Sequence, residues 1–215
     1  MREYRGHFEI HLTIRADNPA DAGRFVGWCR GHGLKCVRII LARGQTADQP
    51  MATWRRPNTT LSAVVAEANR LAADANGAGF AITRVKVEAD PHTADVPITD
   101  ADISDHPPEN YFEHHVKLRR DSMAAQEGLL AICEGHAAHL SRNAFHDGGT
   151  VEERFVTQRA YGVGRVTAAA QLDRLIADLR EIGETVVEHE FEYCVYDSNL
   201  QLDAGWLPGD PAHST

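Results

Sequence analysis

The chain of 215 residues, 43% apolar and 25% charged, has room for one large domain or two small ones, each with its own core. A formal net charge of -9 argues against a general nucleic-acid binder or a protein that sits on an anionic membrane, and no apolar run is long enough to cross a bilayer. With no basic start leading into an apolar core, the sequence predicts a cytoplasmic protein. Its four cysteines lack any C-x-x-C pair and read as reduced, buried thiols.

The first element, His7 to Arg15, alternates apolar and polar residues at period two, as a half-buried strand does: Phe8, Ile10, Leu12 and Ile14 toward a core, Glu9, His11 and Arg15 away from it. Asp17 or Asn18 caps a helix that begins at Pro19 and runs to about Arg30, where Gly31 and Gly33 end it. A β-branched strand over 34–42, a turn and a short strand over 51–56 follow. A second helix runs from about Thr59 to Asn76, with Leu61, Val64, Val65, Ala68, Leu71 and Ala72 as its apolar stripe, and a strand follows over 80–88.

The same order then recurs: strands at 111–119, 137–146, 151–160 and 185–197, with helices from Asp121 or Ser122 to Glu134 and over 165–181. Sliding the chain by 104 positions against itself pairs Phe8 with Phe112, Glu9 with Glu113, His11 with His115, Cys29 with Cys133, Arg38 with Arg142, Thr53 with Thr157, Arg55 with Arg159 and Glu88 with Glu192, nearly without gaps. We read this as an internal duplication of a βαββαβ unit, the order of a ferredoxin-like sandwich in which two helices cover one face of an antiparallel sheet. The expected organisation is a first repeat over 1–90, a solvated Pro/Asp-rich linker over 91–109, a second repeat over 110–197 and a tail over 198–215. Leu200, Leu202, Trp206 and Leu207 of the tail fold back on the body, and the turn around Gly148 is a candidate loop over a cleft.

The uncovered sheet faces should carry Glu9, His11, Arg38, Thr53, Arg55, Lys86 and Glu88, and Glu113, His115, Arg142, Thr157, Arg159, Glu190 and Glu192. In one arrangement these faces approach each other about a pseudo-two-fold axis and enclose a charged cleft, which resembles the dimeric α+β barrels. Such a cleft suits a small anionic ligand, phosphorylated in one reading. Arg38, Arg55, Arg142 and Arg159 would clamp it, with help from Thr53, Thr157 and Lys117, while His11 and His115, oriented by Glu9 and Glu113, act as acid and base. A weaker alternative gives His11, His115, Glu9 and Glu113 to a divalent transition metal. A reading of another class is a non-catalytic interaction or regulatory module that uses the polar sheet face against a partner. The oligomeric state is left open.

His11-Leu12-Thr13-Ile14 resembles the H-x-T-x motif of the 2H phosphoesterases, whose two lobes each offer a His-Thr pair, one His serving as base and the other as acid. That resemblance implies phosphate-ester chemistry. It covers only these residues, and the second copy carries Lys117 in place of the threonine, with His139-Leu140-Ser141 on another strand. The E-x-E-x-K start of the triphosphate-tunnel proteins is absent, and Glu188, Glu190 and Glu192 read as a solvated strand face.

Overall fold

A computed structural model describes residues 2–121, 126–146 and 151–206. The candidate turn around Gly148, the N-cap position Ser122 and Leu207 lie outside them. The first half runs β1 (Arg5–Arg15), α1 (Pro19–Gly31), β2 (Lys35–Leu41), β3 (Asp48–Thr60), α2 (Leu61–Gly77) and β4 (Ala81–Ala89). The second runs β5 (Tyr111–Asp121), α3 (Glu127–Gly135), β6 (Ala138–Asn143), β7 (Val151–Tyr161), α4 (Arg165–Glu181) and β8 (Thr185–Asp197). Asn18 caps α1, its Oδ1 accepting from the Ala20 and Asp21 amides, and α2 begins one residue later than the pattern suggests, on Thr60. Among the described residues no helix is long and apolar enough to cross a membrane.

The strands form one closed, fully antiparallel barrel in the order β1-β3-β2-β6-β7-β5-β8-β4. Each half supplies four consecutive staves, and two seams join them: β2 on β6 through Ile39 to Leu41, and β4 on β8 through Lys86 to Ala89. The pairing of β1 on β3 recurs 104 residues later in β5 on β7: Glu9 opposite Arg55 and His11 opposite Thr53 match Glu113 opposite Arg159 and His115 opposite Thr157.

Period two then sorts the side chains. Phe8, Ile10, Leu12, Ala52, Val85 and Val87 turn outward under α1 and α2. Val116, Leu118, Leu140 and Val156 turn outward under α3 and α4. At about 1.5–3 kcal/mol for each large apolar side chain buried, these outer layers hold the fold together. The barrel interior receives the polar set, so the polar faces are closed against each other. Cys29 and Cys133 lie fully buried in the outer cores, as free thiols.

Two expectations fail here. Arg38 sits opposite Pro50 and its guanidinium holds Asp48, at 2.6 Å, while Arg142 pairs with Ile40. Both therefore lie on the helix side of the sheet, not inside the barrel. The physical reason for Arg38 is that β2 is apolar on both faces (Cys36, Val37, Ile39, Ile40), so its alternation carries no parity; Arg142, on β6, is placed through its repeat pairing with Arg38 and errs with it.

The segment over 91–109 is also not a free linker. Thr93, Val96 and Pro97 are buried; Pro97 and Ile98 carbonyls accept from the first amides of α4, and Asp100 caps it through Gly164 N and Thr167 Oγ1. A side chain at Gly164 would put its Cβ 2.3 Å from the Thr99 carbonyl carbon, which is why the close approach falls on a glycine. His106 is half-buried and bonds Tyr4 Oη at 2.8 Å; His92 is exposed.

Candidate functional site

Across the middle of the barrel runs a chain of charged side chains drawn from both halves. His11 Nε2 donates to Glu88 Oε2 at 2.7 Å, and Lys86 Nζ lies 2.6 Å from Glu88 Oε1 and also binds Glu113 Oε2. Glu113 Oε2 in turn faces His115 Nε2 at 3.2 Å. Each histidine bonds the threonine opposite it through Nδ1, His11 to Thr53 and His115 to Thr157, both at 3.0 Å. The carboxylates differ, however: His11 takes Glu88 of β4, while the counterpart of Glu88, Glu192, stays 3.8 Å from His115, which uses Glu113 of its own strand.

These groups are buried, and their protonation follows from the neighbours they were given. Burial opposes charge on Glu113, yet the Lys86 ammonium, the Arg159 guanidinium and a hydrogen bond from His115 hold its carboxyl well below the usual range. Glu88 is lowered in the same way, against its burial, by Lys86 and His11. For His115 burial disfavours the charged ring, but the bond to Glu113 and its charge prevail and raise the pKa. Glu192 goes the other way: burial, then the charges of Glu88 and Glu9, push its carboxyl well above the ordinary value. Both members of the Glu192–His115 pair therefore hold a proton more firmly than the free side chains do.

Glu88, Glu113 and His115 place ligand atoms within 4.8 Å of one another. The four residues considered for a metal are not gathered as a set, because Glu9 turns to Arg55 and His11 to Glu88. Between Glu88 and Glu113 the buried Lys86 ammonium already supplies a cation, which a metal would have to displace. Lys86 lies outside the expected site set, although its K-x-E spacing with Glu88 puts both on one strand face.

The two mouths of the barrel differ. At one, Arg55 reaches both Glu9 and Glu190 and divides two clefts. The first, of about 530 Å³, is lined by Glu9, Glu88, Asp90, Glu190 and Glu192 with His7, Arg55 and Arg56. The second, of about 610 Å³, has Lys35, Arg55, Lys117 and His115 facing Glu9, Glu153, Glu188 and Glu190. Glu188, Glu190 and Glu192 therefore belong to cleft walls, as the alternation expects of Glu190 and Glu192 in the enclosed arrangement. Lys117 is held by Glu153 at 2.9 Å.

At the other mouth the tail folds in: a 3-10 turn over Leu200–Asp203 sends the Asp203 carboxylate between Arg84 and Arg159, and Trp206 lies over the Arg159 guanidinium at 4.2 Å. Arg159 thus binds a carboxylate, as expected of it, but one belonging to this chain. His139 also faces this mouth. Its Nε2 accepts from the Ala42 amide and its Nδ1 donates to the Trp206 carbonyl at 3.1 Å, and burial drops its pKa to about 4.

No family model matches the chain, and no curated protein does. Among solved structures, the ligand-free regulatory subunit of aspartate kinase from Thermus thermophilus is similar over 82% of this chain and 95% of its own length, with 12% identity and a TM-score of 0.33. Chlorite dismutase from Candidatus Nitrospira defluvii, in complex with imidazole, is similar over 88% and 91%, with 10% identity and a TM-score of 0.30. The fold assignment made above rests on the strand pairing itself.

Proposed function

We propose that the protein binds, and by proton transfer converts, a small ligand in the Arg55 mouth, and that this ligand carries an anionic group together with an ammonium or another strong hydrogen-bond donor. Loss of Arg38 and Arg142 to the outer face and of Arg159 to the tail removes most of the arginine clamp that a highly charged anion would need. What remains is a divided mouth. Lys35, exposed and with no ion pair recorded among the described residues, Lys117 and Arg55 suit the anionic end in the larger cleft, and Glu190 and Asp90 suit the donor end in the acidic one.

The observation that carries the chemical part is the placement of Glu192 3.8 Å from His115 at the inner wall: burial and the neighbouring carboxylates raise the Glu192 carboxyl and Glu113 raises the His115 imidazole, so each holds a proton more firmly than its free counterpart, which suits an acid backed by a group that can replace its proton. In this reading Lys86 provides the fixed positive charge that the sequence suggested for a metal, and elemental analysis of untagged protein returns a substoichiometric metal content. Phosphate-ester chemistry finds less support, since Thr13 is buried and His11 is already committed to Glu88 and Thr53.

Calorimetric titration with an amino acid, a primary amine and a phosphate monoester tests the reading. The amino acid should bind most tightly, and Arg55→Ala should weaken it about 10- to 100-fold, the worth of a charge-assisted hydrogen bond. Tightest binding by the phosphate monoester, unaffected by Arg55→Ala, would contradict the proposal. Binding without any turnover of the bound compound, in wild type and Glu192→Gln alike, would leave a ligand-sensing role in place of catalysis.

A further inference from the structure

The tail at the second mouth has features that a simple plug does not need. Closing a barrel end takes apolar surface, which Leu202 and Trp206 supply. Yet the tail also delivers a carboxylate into a prepared set of donors. Asp203 Oδ1 accepts from Gln49 Nε2 at 2.9 Å, and Oδ2 accepts from Arg84 Nη1 at 2.8 Å and Arg159 Nη2 at 2.7 Å. Both guanidiniums are buried, their side chains 6% and 10% exposed. Each is also positioned by a second acid, Arg84 by Asp197 and Arg159 by Glu113, so the donors are aimed whether or not Asp203 is present. Around the rim, Arg43 Nε donates to the Trp206 carbonyl and the Gln45 amide to the Ala204 carbonyl, which latches the tail from outside the donor set.

This pair of arginines has no equivalent at the open mouth. There the counterpart of Arg159 is Arg55, but the counterpart of Arg84, 104 residues on, is Glu188. The donor set is therefore specific to one end of the barrel. Converging guanidinium and amide donors around one carboxylate are the arrangement by which proteins recognise carboxylate ligands.

We propose that the tail-filled mouth is a second binding site, for a small di- or monocarboxylate, which the chain's own Asp203 occupies as a tethered ligand. A free carboxylate enters by displacing Asp203 from Gln49, Arg84 and Arg159, and the segment over 199–206 lifts as it binds. A tethered group competes at an effective concentration in the millimolar range, so an outside ligand must be abundant or must bind a chain whose latch is weakened. This site is separate from the Arg55 mouth and does not depend on the reading given for it.

Malonate is the probe, titrated calorimetrically into the full-length chain. Asp203→Ala should bind malonate about tenfold or more tightly than wild type, because the internal competitor is gone. Trp206→Ala, which loosens the latch and uncovers the Arg159 guanidinium but removes none of the three donors, should shift affinity in the same direction and keeps the test open if Asp203→Ala does not fold. Adding Arg84→Gln to either variant should abolish the gain. In the wild type, malonate at about tens of millimolar should increase amide hydrogen exchange over 199–206, a change that a purely structural plug does not undergo. Malonate affinity that is the same in wild type, Asp203→Ala and Trp206→Ala overturns the proposal, as does a gain that survives Arg84→Gln, or a tail whose exchange is unmoved by saturating ligand.

Discussion

At one mouth of the barrel Arg55 reaches Glu9 and Glu190 with its side chain 69% exposed; at the other Arg159, its counterpart 104 residues on, is 10% exposed and held by Glu113 and Asp203. Both arginines cross to the glutamate opposite them in the same register. What separates them is burial, and with it the energy at stake. A pair in water is screened and worth about 0–1 kcal/mol, whereas breaking a buried pair strands an uncompensated charge. One cross-strand motif can therefore serve as an adjustable ligand contact at one end and as a fixed structural tie at the other.

The sharpest way to break the comparison is to remove the group that joins both halves. Lys86→Met leaves Glu88 and Glu113 buried without their shared cation, and should lower the unfolding free energy by about 3–5 kcal/mol in urea titration. Little change would mean that the charged chain through the barrel is not what ties the halves together.

A smaller effect comes from pH at the tail-filled mouth. His139 has its folded-state pKa depressed to about 4, so the folded protein binds fewer protons than the unfolded chain between about pH 6.5 and 4. Stability should fall across that window as pH drops, and protonation of Nε2 sets it against the Ala42 amide. His114, lowered to about 4 by burial in the outer core, acts in the same sense. Asp203, whose carboxyl is held low by the two arginines against its burial, adds a loss only below its unfolded value near 3.9. His115 runs opposite: its raised pKa contributes stability that is complete below about 6.5 and is lost as pH rises through the folded value. Urea midpoints from pH 4 to 7 should therefore rise less steeply with pH in His139→Gln than in wild type, and the protection factors of the tail amides, corrected for intrinsic exchange, should vary less with pH in the same variant. An unchanged slope would remove His139 from the account.

The smallest expected effect lies at the open mouth, where Lys35→Ala should change stability by no more than about 0.5 kcal/mol while weakening any anion-bearing ligand. A substitution that alters stability as much as Lys86→Met would show that this mouth, too, is structural.

Much of this architecture was legible in the residues, and the failures have identifiable causes. The alternation in β1 and β5 and the 104-residue repeat placed every strand and the inward-facing Glu9, His11, Glu113 and His115. They also put His11 and Thr53, and His115 and Thr157, on one face, and the structure pairs them. The parity of β2 was not readable because both of its faces are apolar, which misplaced Arg38 and, through the repeat pairing, Arg142 of β6. Barrel closure could be expected only by analogy, since the seams rest on backbone pairing of a few residues and leave no side-chain pattern. Leu202 and Trp206 announced that the tail packs back. That Asp203 travels with them into a pair of arginines is not visible, because nothing in the tail's spacing aims its carboxylate inward, whereas Arg84 shares the parity of Lys86 and Glu88 and is legible as an inward residue. The register around the histidines is the same in both halves, Glu9 opposite Glu88 and Glu113 opposite Glu192; what differs is the residue opposite each histidine, Lys86 for His11 and Glu190 for His115, which changes the carboxylate each one meets.

The most direct test of two mouths with opposite roles is the unfolding free energy of Arg55→Ala and Arg159→Ala, measured side by side in urea. The account predicts a loss of about 3 kcal/mol or more for Arg159→Ala and of at most about 1 kcal/mol for Arg55→Ala. Equal losses, or a larger one for Arg55→Ala, would contradict it.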